Sequence, residues 1–182
     1  MKLIDTHIPD VKIIEPNIFG DTRGFFMETW SVQAFESLGL HATFVQDNHS
    51  RSRQGILRGL HYQLQHPQGK LVRVTHGKVF DVAVDVRRSS ASFGQWVGVE
   101  LSEDNPQMLW IPPGFAHGFY VMSESVDFLY KCTDVYAPEH ERSLQWDDPT
   151  LAIKWPLVNG ETPLLSAKDA QAVSWQEAEM FE

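Results

Sequence analysis

Apolar and polar residues alternate along most of this chain. Residues 78–87 (KVFDVAVDVR) show it most cleanly: Phe80, Val82, Val84 and Val86 share one face, and Val79, Asp81, Ala83, Asp85 and Arg87 share the other. A period of two is the signature of a β-strand with one dry and one wet face. The same pattern predicts strands at 24–30, 43–50, 56–63, 70–76, 96–102, 107–111, 115–122 and 125–133. His76-Gly77, Asn105-Pro106 and Pro112-Pro113-Gly114 are turn signals between them, and Pro113-Gly114 suits the central pair of a type II turn. Many short strands with frequent turns imply an all-β antiparallel barrel or sandwich. Helix is minor. Ser31 is placed to N-cap 32–38, with Gly39 just beyond, and 166–179 has helical composition with Ser166 as its cap.

Composition narrows the class. The 182 residues are 42% hydrophobic and 12% aromatic, enough to build a core. They contain no repeat, linker or charge block, so 1–182 reads as one domain, with a less regular C-terminal extension over about 140–182. Fifteen Lys and Arg against 24 Asp and Glu leave a net charge of −9. That disfavours nucleic acid or an anionic membrane as partner, but not one small anionic ligand in a locally basic pocket. No apolar run approaches the roughly 18 residues of a membrane span, and Asp5 arrives too early for a signal peptide. The lone Cys132 allows no internal disulfide, which fits a cytoplasmic location.

Alternation also says which polar groups share a face with apolar ones. His117 lies with Phe115, Phe119 and Val121; Tyr130 with Val126, Phe128 and Cys132; His61 with Leu57, Gly59 and Gln63; Gln46 and Asn48 with Phe44 and Ser50. Inward side chains of a small barrel converge on one interior. There His61, His117, Tyr130, Gln46 and Asn48 would meet. Taken singly each is more readily a hydrogen-bonded core, edge or loop residue. Together they leave several polar groups on dry faces, at a cost of roughly 1–3 kcal/mol for each one unsatisfied. Arg58 falls opposite His61 unless Gly59 marks a bulge.

Several classes lack their motifs. There is no GxGxxG, GxxxxGK[ST] or GxSxG, one cysteine permits no CxxC, and the histidines show no HxH, HxxH or HExxH spacing. No metal site is therefore expected.

Five stretches, in order, carry a resemblance: 19–28 (FGDTRGFFME), 46–50 with 55–63 (QDNHS, GILRGLHYQ), 70–74 (KLVRV), 111–119 (IPPGFAHGF) and 129–136 (LYKCTDVY). Over about residues 3–170 the chain resembles the dTDP-4-dehydrorhamnose 3,5-epimerase family. The resemblance implies a cupin-like jelly roll, a homodimer and no metal or cofactor. It also implies a step of dTDP-L-rhamnose biosynthesis, with dTDP-4-dehydro-6-deoxy-D-glucose as substrate.

That substrate has hydrogens at C3 and C5, both flanking the C4 ketone. Inverting these carbons needs a base on one face, an acid on the other and a positive group near the oxygen. By resemblance His61 is the base, since imidazole titrates nearest neutral pH. Asp169 is its orienting carboxylate, Tyr130 the acid, and Lys70 stabilises the enolate with His117 assisting. Arg23 and Arg58 would hold the diphosphate. Glu28, Gln46, Asp47 and Asn48 would contact thymidine or sugar, Tyr136 would stack on thymine, and Glu141 and Lys168 would line the ligand. Arg23 and Glu28 are expected to reach a neighbouring subunit's site. Cys132 takes a place where the family often has a small residue and, as a small buried hydrophobe, is expected to have no functional effect. Three alternatives stay open: a 3- or 5-epimerase or isomerase on a related dTDP-keto-sugar, a non-catalytic nucleotide-sugar-binding cupin, and a metal-dependent cupin oxygenase.

Overall fold

The computed structural model describes residues 1–182. Its strands in chain order are β1 (Lys2–Asp5), β2 (Lys12–Glu15), β3 (Ile18–Asp21), β4 (Gly24–Met27), β5 (Gln46–Arg53), β6 (Leu57–Gln63), β7 (Lys70–His76), β8 (Lys78–Asp85), β9 (Trp96–Ser102), β10 (Met108–Ile111), β11 (Phe115–Val121), β12 (Ser125–Cys132) and β13 (Glu141–Ser143). One helix, α1 (Val32–Ser37), stands between β4 and β5. Ser31 caps it as expected, its side chain accepting from the Ala34 N–H.

Two antiparallel sheets form the body. One runs β1-β2-β10-β7-β12-β5 and the other β13-β6-β11-β8-β9, while β3 and β4 pair only with each other. Their inner faces close on one core, in which Val72, Val74, Val126 and Phe128 meet Val79, Ala83, Val97, Phe115 and Phe119. The arrangement is a cupin-like double-sheet roll.

The expectation of a wet face on 78–87 is overturned. Val82, Val84 and Val86 pack under the C-terminal segment with Leu144, Leu151 and Ala178. Asp81 and Asp85, on the other face, are fully buried. Both faces are dry because the chain after β13 folds back over this sheet, and because both carboxylates find partners. Asp85 accepts from Arg87, Ser90 and Ser92, and Asp81 from His117.

The expected helix at 166–179 is likewise replaced. Only Asp169–Gln171 make a single 3-10 turn. Beyond it, distant partners take the backbone: the Val173 N–H donates to the Ser143 carbonyl, and the Trp175 N–H to Asp148 Oδ2. Tertiary bonds override local propensity there. The strand at 24–30 stops at Met27, and the one expected at 43–50 runs instead from Gln46 to Arg53. β1, β2, β3 and β13 have only three or four residues each, too few for alternation to register.

Two glycines shape the site. Gly114 has φ +92°, as the third position of a type II turn requires. Gly59 has φ +121°, and a Cβ there would lie 2.5 Å from the Gly118 Cα. That contact lets β6 and β11 touch where β6 carries an extra residue. His117 faces His61, yet Phe119 faces Arg58, so three steps on β6 span two on β11. This bulge reverses the alternation and turns Arg58 to the His61 side.

Candidate active site

A cavity of about 450 Å³ opens between the sheets, walled by Arg58, His61, Lys70, His117, Tyr130 and Asp169 among others. His61 (β6) and His117 (β11) come from one sheet, and Lys70 (β7) and Tyr130 (β12) from the other. The segment after β13 closes one side with Leu164, Leu165 and Asp169.

His61 Nε2 lies 2.5 Å from Asp169 Oδ1. With Nε2–H donating to a carboxylate, Nδ1 keeps the free lone pair and is the basic atom. Asp169 is buried, and its backbone N–H and Oδ2 both bond the Ser166 hydroxyl. Burial pushes this carboxyl up, but bonds from His61, Ser166 and the Gly59 N–H together with the His61 charge hold it below its ordinary value. It is an anion poised to stabilise an imidazolium.

Lys70 is 8% exposed and makes neither a hydrogen bond nor an ion pair with the protein. Burial pulls its pKa below the usual lysine range, against the pull of Cys132, Glu141 and Asp81. Such an unpartnered buried ammonium is costly unless a ligand supplies an acceptor. His117 is fixed by Asp81, with Nε2 2.9 Å from Oδ2. Burial lowers its pKa despite Asp81, so neutral imidazole dominates at pH 7. Tyr130 makes no hydrogen bond to protein. Burial first, then Cys132 and nearby Glu141 and Tyr136, pushes its phenol up against Arg58. It therefore holds its proton at neutral pH. Arg58 is steadied through Nε on the Ser52 hydroxyl, 3.0 Å away, leaving its outer nitrogens for a ligand.

A second lobe of about 250 Å³ shares His61, Lys70 and Tyr130 and adds Gln46, Asn48, Tyr136 and Glu141. Tyr136 donates to Glu141 Oε2 at 2.7 Å, and Lys168 pairs with the same carboxylate. Most expected residues thus come together. Asp47 does not: its side chain turns to the outer face of β5 and pairs with Lys131 at 2.7 Å. Period two on β5 puts Gln46, Asn48 and Ser50 inward and Asp47 outward. Arg23 and Glu28 are also away from the cavity of their own chain. Arg23 is paired with Asp21 on the exposed β3–β4 hairpin, and Glu28 accepts from Ser31.

Four residues are additional to those expected: Asp81 behind His117, Ser52 behind Arg58, Ser166 behind Asp169, and Ser50, whose buried hydroxyl lines the cavity with no protein partner. Asp81 shares a face with the apolar Val79 and Ala83, a grouping visible in the sequence. No three His, Cys, Asp or Glu side chains are grouped to share a metal ion. No helix is long and apolar enough to cross a membrane.

Removing a proton from one side of a bound carbon and returning one from the other is carbohydrate epimerase chemistry, and this cupin-like chain is of that class. Residues 5–177 match the family model described as dTDP-4-dehydrorhamnose 3,5-epimerase. A protein of that name from Pseudomonas aeruginosa is 58% identical over 182 residues, covering 100% of this chain and 99% of the relative. A crystal structure of dTDP-6-deoxy-D-glucose-3,5-epimerase from Legionella pneumophila, in complex with dTDP-4-keto-L-rhamnose, superposes with a TM-score of 0.91 at 59% identity. It covers 94% of this chain and 90% of its own. A 3'-monoepimerase from Streptomyces bikiniensis, in complex with dTDP-quinovose, gives a TM-score of 0.86 at 31% identity over 93% of this chain and 86% of its own. The chain belongs to the dTDP-4-dehydrorhamnose 3,5-epimerase family.

Proposed function

We propose that this cavity inverts C3 and C5 of dTDP-4-dehydro-6-deoxy-D-glucose, giving dTDP-4-dehydro-L-rhamnose. The observation that carries the reading is the placement of the His61–Asp169 dyad and Tyr130 on opposing sheets around the unpartnered Lys70. His61 Nδ1 takes the proton from the carbon next to the ketone, and the C–H electron pair moves into the C4 oxygen. Asp169 stabilises the resulting imidazolium. Lys70 balances the enolate charge where it develops, and His117, held by Asp81, lines the cavity beside it. Tyr130 then donates its proton to the opposite face of the same carbon, and the enolate collapses to the ketone. Proton exchange with water resets both groups, and the sequence repeats at the second carbon. No electron changes hands, so the step calls for no redox cofactor.

Arg58 would hold the diphosphate. Gln46, Asn48, Tyr136, Glu141 and Lys168 would surround the remainder of the ligand. We read the chain as one domain working as a homodimer in the cytoplasm. Supporting a second copy, Phe19, Phe25 and Phe26 on the β3–β4 hairpin are 65%, 70% and 69% exposed. An apolar hairpin tip of this kind marks an interaction site. In the dimer it would bring Arg23 and Glu28 to the partner's cavity.

The test is incubation with the keto-sugar in deuterated water, followed by NMR. Deuterium at both C3 and C5 with L-rhamno product is expected. Label and inversion at C3 alone would replace this reading with monoepimerase activity, as in the Streptomyces bikiniensis neighbour.

A further inference from the structure

Cys132 touches the site through the amide side chains of the second lobe. It is 1% exposed, and Asn48 Nδ2 approaches its Sγ at 3.5 Å. Asn48 Oδ1 in turn accepts from Gln46 Nε2 at 3.0 Å, and Gln46 Oε1 accepts from the Tyr136 backbone N–H at 2.9 Å. We propose that Cys132 is a positioning residue: it locks the amide of Asn48 so that this wall of the lobe presents N–H donors to acceptor oxygens of the bound dTDP-sugar. The proposal rests on the reading of the cavity as a dTDP-sugar site.

The polarity of the chain follows from its anchor. A backbone N–H can only donate, so the Gln46 atom that meets it is the oxygen. The Gln46 nitrogen must then donate onward, which places the Asn48 oxygen toward Gln46 and its nitrogen toward Cys132. Reversing Asn48 would set two NH₂ groups against each other. Each amide oxygen accepts a bond within the protein, and each NH₂ keeps a second N–H uncommitted. These residues line the lobe beside Lys70 and Tyr136. Uncommitted N–H donors next to a buried ammonium favour acceptor oxygens of a bound ligand. Burial pushes the Cys132 thiol up, so it stays neutral and offers the amide a weak acceptor instead of a charge. A smaller residue at this position would leave Asn48 held from one side only.

The test compares wild type with Cys132→Val and Cys132→Ser, reading dTDP affinity by calorimetry, KM and kcat separately, and melting temperature. Cys132→Val removes the acceptor while keeping an apolar side chain in the strand. Loss of one neutral hydrogen bond should raise the dTDP Kd and the KM by about 2- to 10-fold, leaving kcat within about twofold. Cys132→Ser, whose hydroxyl also accepts, should recover most of that loss. The effect of Asn48→Ala should be smaller in the Cys132→Val background than in wild type, because the two act as one unit. Unchanged Kd and KM in Cys132→Val overturns the proposal. So does a parallel fall of kcat and melting temperature without a KM change, which marks a packing role alone. If Cys132→Val does not fold, Cys132→Ala, which also removes the acceptor, takes its place in the cycle with Asn48→Ala, and additive effects there refute the relay. A wild-type protein that does not bind dTDP would overturn the functional reading itself, and this proposal with it.

Discussion

Replacing Asp169 by Asn keeps the size of the side chain and removes its charge. The buried Oδ1 atom 2.5 Å from His61 Nε2 then no longer faces the imidazolium as an anion. A hydrogen bond to a charged group contributes about 1.5–3 kcal/mol. Two unit charges about 4 Å apart interact by about 4 kcal/mol at an effective dielectric near 20. At about 1.36 kcal/mol per tenfold, these figures bracket a loss in kcat of about 10- to 10³-fold. KM should move little, since the charge acts on a transition state in which His61 is protonated. The assay is deuterium wash-in at C3 and C5 with product stereochemistry, alongside melting temperature, because Asp169 also bonds Ser166 and the Gly59 N–H. Both carbons should slow by the same factor if one dyad serves both. A kcat loss below about threefold, worth under about 0.7 kcal/mol, with the fold intact would refute the dyad. A loss at one carbon only would assign the other to a different base.

Tyr130→Phe removes the acid but leaves the base: product formation should fall by about 10²-fold or more, while His61 still exchanges the substrate's acidic hydrogens with deuterated water. Equal loss of exchange and inversion would place Tyr130 elsewhere in the mechanism. Lys70→Met should lower kcat by about 10²- to 10³-fold. Because burial lowers the Lys70 pKa, the ammonium, and the activity that depends on it, should be lost as pH rises through a value below the usual lysine range. Its effect on stability has the opposite sign: the folded state binds this proton less readily than the unfolded chain, so the stability cost fades as pH rises through the folded value. An alkaline limb identical in wild type and Lys70→Met would refute this assignment. Substituting Phe19 and Phe26 by Ser should yield monomers in sedimentation with sharply weakened dTDP binding. A fully active monomer would refute the shared site.

Much of the site could be read from the one-dimensional pattern. Period two placed the ends of strands such as Lys70–His76 and Trp96–Ser102. It also put Gln46, Asn48, His117 and Tyr130 on inward faces, because alternation is a local property of the extended backbone. Asp47 shows the limit of carrying a motif over whole: the parity of β5 that points Asn48 inward points Asp47 out. Arg58 needed the bulge at Gly59, whose existence depends on the close approach of Gly118 from a strand almost sixty residues away. The burial of Asp81 needed the opposing sheet, whose Val72, Val126 and Phe128 close on the Val79 and Ala83 face of β8. The turn that aims Asp169 at His61, in place of a helix, needed backbone partners on β13 and beyond. Local chemistry along the chain determined which faces were apolar and which side chains could carry proton transfer. Contacts between residues distant in sequence decided which second face was covered, where parity reversed and which carboxylate met which histidine, because those outcomes depend on packing that no short window contains.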